Sequence, residues 1–201
     1  MPAQNKNNWS YSPMKKITSF LLAALVSTQL FAVEVGGIDM PDTLKNNETS
    51  LNLNGAGTRE KFFMDLYVGG LYLKSKTQDA NQVLTADETM ALRLHIVSGL
   101  ITSEKMLQAT KEGFENSLGD NKNEAIQNKI NTFLATFKDE IKEGDIFEMV
   151  YVPNEGVKVY KNAALANTIN GMEFKQALFG IWLSETPAQQ SLKEDMLGSK
   201  S

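Results

Sequence analysis

Leu51 and Leu53 interleave with Asn52 and Asn54, the period of a strand with one face buried. Gly55-Ala56-Gly57 is expected to end or bend that strand, and Thr58-Arg59-Glu60-Lys61 is the polar break before a second apolar run. This places Arg59 at a turn between paired strands. The second run, Phe62 to Leu73, is apolar on both faces, with Leu66, Val68 and Tyr72 on one and Tyr67, Leu71 and Leu73 on the other. Such a run predicts a central strand covered on both sides. Gly69-Gly70 within it marks a bulge or the close approach of another group. Upstream, Val33 to Met40 reads as a first strand and Asp42 to Ser50 as a polar turn. Downstream, Asp79 to Leu84 is a short helix or turn, and Met90, Leu92, Leu94 and Ile96 alternate with Ala91, Arg93, His95 and Val97 as a half-buried strand.

The period then changes. Ser103 is a suitable N-cap for a helix running to about Leu118, with Met106, Leu107, Phe114 and Leu118 inward. Gly119-Asp120-Asn121 breaks it. Ile126, Ile130, Phe133, Leu134, Phe137 and Ile141 mark one face of a second helix that ends at Gly144. Asp145 to Val152 and Gly156 to Lys161 read as a hairpin across Pro153-Asn154-Glu155. Phe174, Ala177, Leu178, Ile181 and Trp182 give a third amphipathic helix, Trp182 reading as core. Thr186-Pro187-Ala188-Gln189 has the cap, first-turn proline and capping-box glutamine of a last helix, closed by Gly198. Strands followed by helices, then strands and helices again, predict an α+β domain: an antiparallel sheet with helices packed on one face.

Composition narrows what such a domain can do. With 201 residues, 42% of them hydrophobic and 22% charged, one domain can bury a sizeable core. A net charge of -4 argues against a nucleic-acid partner, which requires a basic face. Met14 to Ala32 has the three parts of a secretory signal: Lys15-Lys16, an apolar run from Ile17 to Val26, and a cleavage end at Phe31-Ala32. The apolar run is well short of the ~20 residues a membrane span needs, so no stable span is expected after cleavage. Residues 1–13 read as an extension ahead of a better start at Met14, which divides the chain into 1–32 and a domain from 33 to 201. The chain has no cysteine, which excludes disulfides, thiolate nucleophiles and a lipoprotein anchor.

Two stretches carry a resemblance. GAGTREKFF and YVGGLYL, within residues 55–73, look like the strand pair of the chalcone isomerase-like family, in its bacterial exported (periplasmic) branch. Ala177 to Gly198, ALFGIWLSETPAQQSLKEDMLG, resembles that branch's closing segment. The resemblance implies an open-faced β-sandwich and a small-molecule ligand. It also implies site residues. Arg59, by its GAGxR context, matches the arginine that meets the ligand in the plant enzymes and that, with a tyrosine, holds a carboxylate in the fatty-acid-binding relatives. Tyr67 matches that tyrosine approximately. Thr102 falls where the catalytic plant enzymes carry a tyrosine, and Ala109 near where they carry an asparagine. Lys105 matches a family lysine, though a first-turn lysine is also ordinary helix surface.

The chemistry is coherent. A guanidinium grips a carboxylate through two hydrogen bonds, and a phenol donates a third. The competing reading is a surface arginine beside a core tyrosine. At the level of function, the first expectation is an exported binding protein for a small amphipathic acid such as a fatty acid, with Arg59, Tyr67 and Thr102 as ligand-binding residues. The alternative is an intramolecular lyase or isomerase acting on a conjugated small molecule, and the third is an interaction module with no small ligand. His95 is the sole histidine and lies on the outer face of its strand with Arg93, a poor start for a metal site or a nucleophile pair. Gly55-Ala56-Gly57 lacks the further glycine and following helix of a phosphate loop. No cofactor or metal is expected, and oligomeric state is not written in these patterns.

Overall fold

The computed structural model describes residues 32–46 and 49–199. The expected signal segment lies outside these residues, apart from Ala32. Two short strands, β1 (Ala32–Val35) and β2 (Ile38–Pro41), form a hairpin. Seven more form one antiparallel sheet in chain order: β3 (Thr43–Asn46), β4 (Thr49–Lys61), β5 (Met64–Leu73), β6 (Met90–Ile96), β7 (Ile146–Val152), β8 (Gly156–Lys161) and β9 (Ala164–Ile169). The helices are α1 (Ala80–Thr85), α2 (Ser103–Leu118), α3 (Glu124–Leu134), α4 (Met172–Leu183) and α5 (Gln190–Met196). This is the α+β architecture that the pattern predicts.

Strand alternation sorts the core into two layers. On the inner face Tyr67, Leu71 and Leu73 of β5, Met90, Leu92, Leu94 and Ile96 of β6, and Phe147 and Met149 of β7 pack against the helices. On the outer face a smaller cluster of Met40, Leu51, Leu53, Val68, Tyr72, Ala91 and Val150 is partly covered by Val35 and Ile38 of the β1–β2 hairpin. β5 is thus covered on both sides, as its unbroken apolar run requires.

Four expectations are corrected, and one strand, β9, was not anticipated. Val33 to Met40 is not one strand but a hairpin turned at Gly36 and Gly37, both at positive φ. The polar stretch from Asp42 contains β3, paired with Thr49 to Asn52; four residues are too few for alternation to show. β9 leaves only Ile169 buried, so its sequence carries no alternating signal. α3 stops at Leu134, and a 3-10 turn over Ala135–Phe137 follows. Phe137 and Ile141 keep helical spacing because both still enter the core, the first stacking edge-on against Phe133 and Phe147. Finally, α4 is not amphipathic: Phe174, Lys175 and Ala177 to Leu183 are all buried, because α1, α2, α3 and β8 surround it.

Candidate functional site

Two bulges aim the candidate side chains. Leu53 pairs with Tyr72 and Gly55 with Leu71, so Asn54 is an extra residue on β4. Before the bulge the odd positions Leu51 and Leu53 face outward; beyond it Gly55, Gly57 and Arg59 face inward. The bulged Asn54 is buried, and its amide donates to the carbonyls of Thr77 (3.0 Å) and Met196 (2.8 Å) while its Oδ1 accepts from Thr77 N (2.8 Å). A second bulge follows, since Arg59 pairs with Tyr67 but Glu60 with Asp65, leaving Leu66 extra on β5. Arg59 and Tyr67 are therefore direct cross-strand neighbours on the helix-covered face.

Gly55-Ala56-Gly57 does not end the strand, which runs on to Lys61. A Cβ on Gly55 would lie 2.1 Å from the Asp195 carbonyl oxygen, and one on Gly57 2.5 Å from the Asp195 side chain. These glycines let the end of α5 rest on the sheet. The turn lies instead at Phe62 and Phe63, so Arg59 sits within β4, two residues before the strand's end.

Around the pair runs a cleft of about 760 Å³, in the range of small-molecule sites. It passes beneath α2 from the β4–β5 tip, where Arg59, Lys61, Phe62 and Met64 line it, to Phe133, Phe137 and Met149 in the core. Leu66, Leu94, Ile101, Met106 and Ile181 make its walls mainly apolar, with Pro187 and Ala188 beside them, while Glu104, Gln108, Glu112 and Asn116 add a polar edge from α2. The Arg59 Nη1 donates to the carbonyl of Glu60 and to Gln189 Oε1 (2.9 Å). Gln189 Oε1 also accepts from Glu60 N (2.9 Å), and its amide donates to the Thr58 carbonyl and Ser191 Oγ. Gln189 thereby ties the entry of α5 to the end of β4. Tyr67 Oη accepts from Trp182 Nε1 (2.9 Å), which leaves the phenolic proton available for donation. Burial raises the Tyr67 pKa, against lesser lowering by the Trp182 hydrogen bond and the Arg59 charge, so the phenol stays a donor at neutral pH.

Thr102 stands elsewhere. It is exposed, is not among the cleft-lining residues, and caps α2 by accepting from Lys105 N (3.3 Å). Ser103, expected as that cap, is the first helical residue and donates to the Asp139 carbonyl. Lys105 lines the cleft and donates to the Leu100 carbonyl (3.0 Å), and Ala109 lines it without a polar group. His95 is on the outer face; burial and then the Arg93 charge lower its pKa. The last helix starts at Gln190 with Gln189 at its cap position, not after a Thr186 cap, and the Thr186 hydroxyl donates to the Asn116 carbonyl. Gln189 and the polar role of Trp182 were missed, because each partner lies more than a hundred residues away in sequence.

Among curated proteins, none matches this sequence. Among solved structures the chain is similar to the crystal structure of an Arabidopsis thaliana fatty-acid binding protein, with a TM-score of 0.67 and 18% identity over 81% of this chain and 93% of that one. At that identity the likeness establishes the fold. The sequence profile of chalcone isomerase-like proteins matches residues 32–198, nearly all of the described chain. With the fold and the profile in agreement, this chain belongs to the chalcone isomerase-like family.

Proposed function

We propose that this protein binds a small amphipathic acid, such as a fatty acid, in the cleft between the sheet and α2. One observation carries the reading: Arg59 and a buried phenol with a proton to donate are cross-strand neighbours on the wall of a mainly apolar cleft. Arg59 grips the carboxylate and Tyr67 adds a hydrogen bond. A charge-assisted hydrogen bond contributes about 1.5–3 kcal/mol. Each buried methylene contributes about 0.8 kcal/mol, so for a long chain the tail supplies most of the affinity while Arg59 sets orientation and selects acids. The structural likeness to a fatty-acid binding protein supports this use of the fold.

The isomerase alternative has less behind it. Thr102 is occupied as a cap outside the cleft, Ala109 offers no polar group, and a phenol held protonated is a poor base. The carrier is also proposed to work outside the cytoplasm, as in the exported branch, because the basic start and apolar run of residues 14–32 have the form of a cleaved signal.

Native mass spectrometry tests all of this together, on protein expressed as the full chain and recovered without detergent from the extracytoplasmic fraction of a bacterial host. The expected spectrum shows a polypeptide shortened by the signal and carrying a fatty-acid mass. Arg59→Ala should lose that mass while keeping its circular dichroism. An empty wild-type protein would refute acid carriage, and an unshortened one would refute cleavage.

A further inference from the structure

The hairpin between β4 and β5 turns on Phe62 and Phe63, with Lys61 pairing Met64 across them. Both phenylalanines have positive φ, 52° and 63°, the geometry that selects asparagine and glycine in two-residue hairpins. A bulky side chain there is strained. Packing gives little back, since Phe62 is 78% exposed and Phe63 104%, with Met64 beside them at 43%. Turn chemistry and burial are thus violated at the same two residues, which is where functional constraint is to be sought. The tip also stands at the mouth of the cleft, because Phe62, Met64 and the half-exposed Leu100 line the cleft as well as meeting solvent.

We propose that the Phe62-Phe63-Met64 tip inserts into the interface of a lipid bilayer, so that the cleft opens onto the hydrocarbon from which its acid is drawn. The inference rests on the acid-carrier reading for its cargo, but not for the insertion itself. Three features favour a bilayer over a protein partner. A convex tip of three side chains is far smaller than a stable protein interface, which buries about 1,200–2,000 Å², whereas a bilayer demands no matching shape. The exposed Phe62 ring and Met64 belong to the cleft wall, so insertion and loading share one opening. Charges around the tip are mixed: Lys61, whose Nζ lies 5.8 Å from the Phe62 ring centroid, and Lys105 stand against Glu60, Asp65 and Glu104. Attraction therefore comes from the rings rather than from anionic headgroups, with the lysine stems reaching back toward water.

Phe63 does not line the cleft, so it can be changed without touching the acid site. In the full chain, Phe63→Trp is mixed with phosphatidylcholine vesicles, with and without lipid brominated along its chains. The emission added by the substitution should shift to the blue and be lost to bromine quenching. Emission that stays at the wavelength of a water-exposed indole overturns the proposal, as does a blue shift that appears without vesicles through self-association. A second variant, Phe63→Asn, supplies a residue suited to the left-handed turn. Its thermal midpoint should equal or exceed that of the parent; a lower midpoint would mean the ring serves stability and would overturn the proposal. Because the emission shift needs no bound acid, an inserting tip on an empty protein refutes the carrier and the loading but leaves the insertion standing. An acid-loaded protein whose tip stays in water does the reverse.

Discussion

Tyr67 has two jobs that a single atom separates. Its Oη accepts from the buried Trp182 indole and keeps a proton to offer the cleft. Tyr67→Phe removes both. The indole N–H loses its partner in a buried position, so stability should fall by about 1–3 kcal/mol in a urea titration. On the carrier reading, affinity for a fatty acid should fall about tenfold to a hundredfold, the worth of one hydrogen bond to a charged group. An isotherm unchanged by the substitution would show that the phenol only packs. Arg59 and Tyr67 became candidates through the GAGxR resemblance; periodicity put Arg59 at a turn, and only the register within β4 and β5 makes the two cross-strand neighbours. Gln189, which steadies Arg59, was not legible as a site residue, since nothing local distinguishes a glutamine that caps a helix from one that reaches a distant strand.

The behaviour of β4 as an element turns on residues 54 to 57. Read locally, two glycines flanking an alanine signal a break, but the cause of their smallness is a helix end reached only at Asp195 and Met196. Sequence shows small residues; it does not show what needs the space. The bulge at Asn54 was equally hidden, although it decides which face Arg59 occupies, because a one-residue slip reverses every side chain beyond it. Gly55→Val tests the account. Its Cβ would meet backbone carbonyl oxygens at 2.1 Å and 2.8 Å, which no rotamer relieves. The substitution should cost about 1–3 kcal/mol by overpacking, and hydrogen exchange should accelerate in α5 more than in β6 and β7. Equal protection of α5 in both proteins would mean that the helix does not depend on this seat. The helices were read more securely where a capped start met a long apolar stripe, as in α2. They were read poorly where the core continued past the helix end, as at Phe137 and Ile141.

Across the whole molecule, the least expected charge is Lys175, 0% exposed on α4. Its Nζ donates to the carbonyls of Val83 (2.5 Å), Leu84 (2.9 Å) and Ala86 (3.0 Å), and so holds the end of α1, where carbonyls otherwise lack partners. Burial lowers its pKa from the ordinary 10.5 to about 8, with the Asp87 charge opposing. Well below pH 8 the lysine is protonated in both folded and unfolded states and adds no pH dependence to stability. Between pH 8 and 10.5 the folded protein releases this proton while the unfolded chain retains it, so stability rises with pH. The tyrosines act in the opposite sense. Burial raises Tyr67 and Tyr72, and burial with the Asp87 hydrogen bond raises Tyr151 to about 12, so above pH 10 the unfolded chain ionises first and stability falls. Urea midpoints taken from pH 7 to 11 should therefore pass through a maximum near pH 10. The lysine's share of the rise is about 2 kcal/mol, from 1.36 kcal/mol per pKa unit. Lys175→Met leaves three carbonyls unserved and should be less stable than the parent at pH 7 by about 1–3 kcal/mol. Its profile should also lack the climb from pH 8 to 10 and show only the alkaline fall. A climb that survives in Lys175→Met would assign the effect to another group and leave the buried lysine as a structural tie alone.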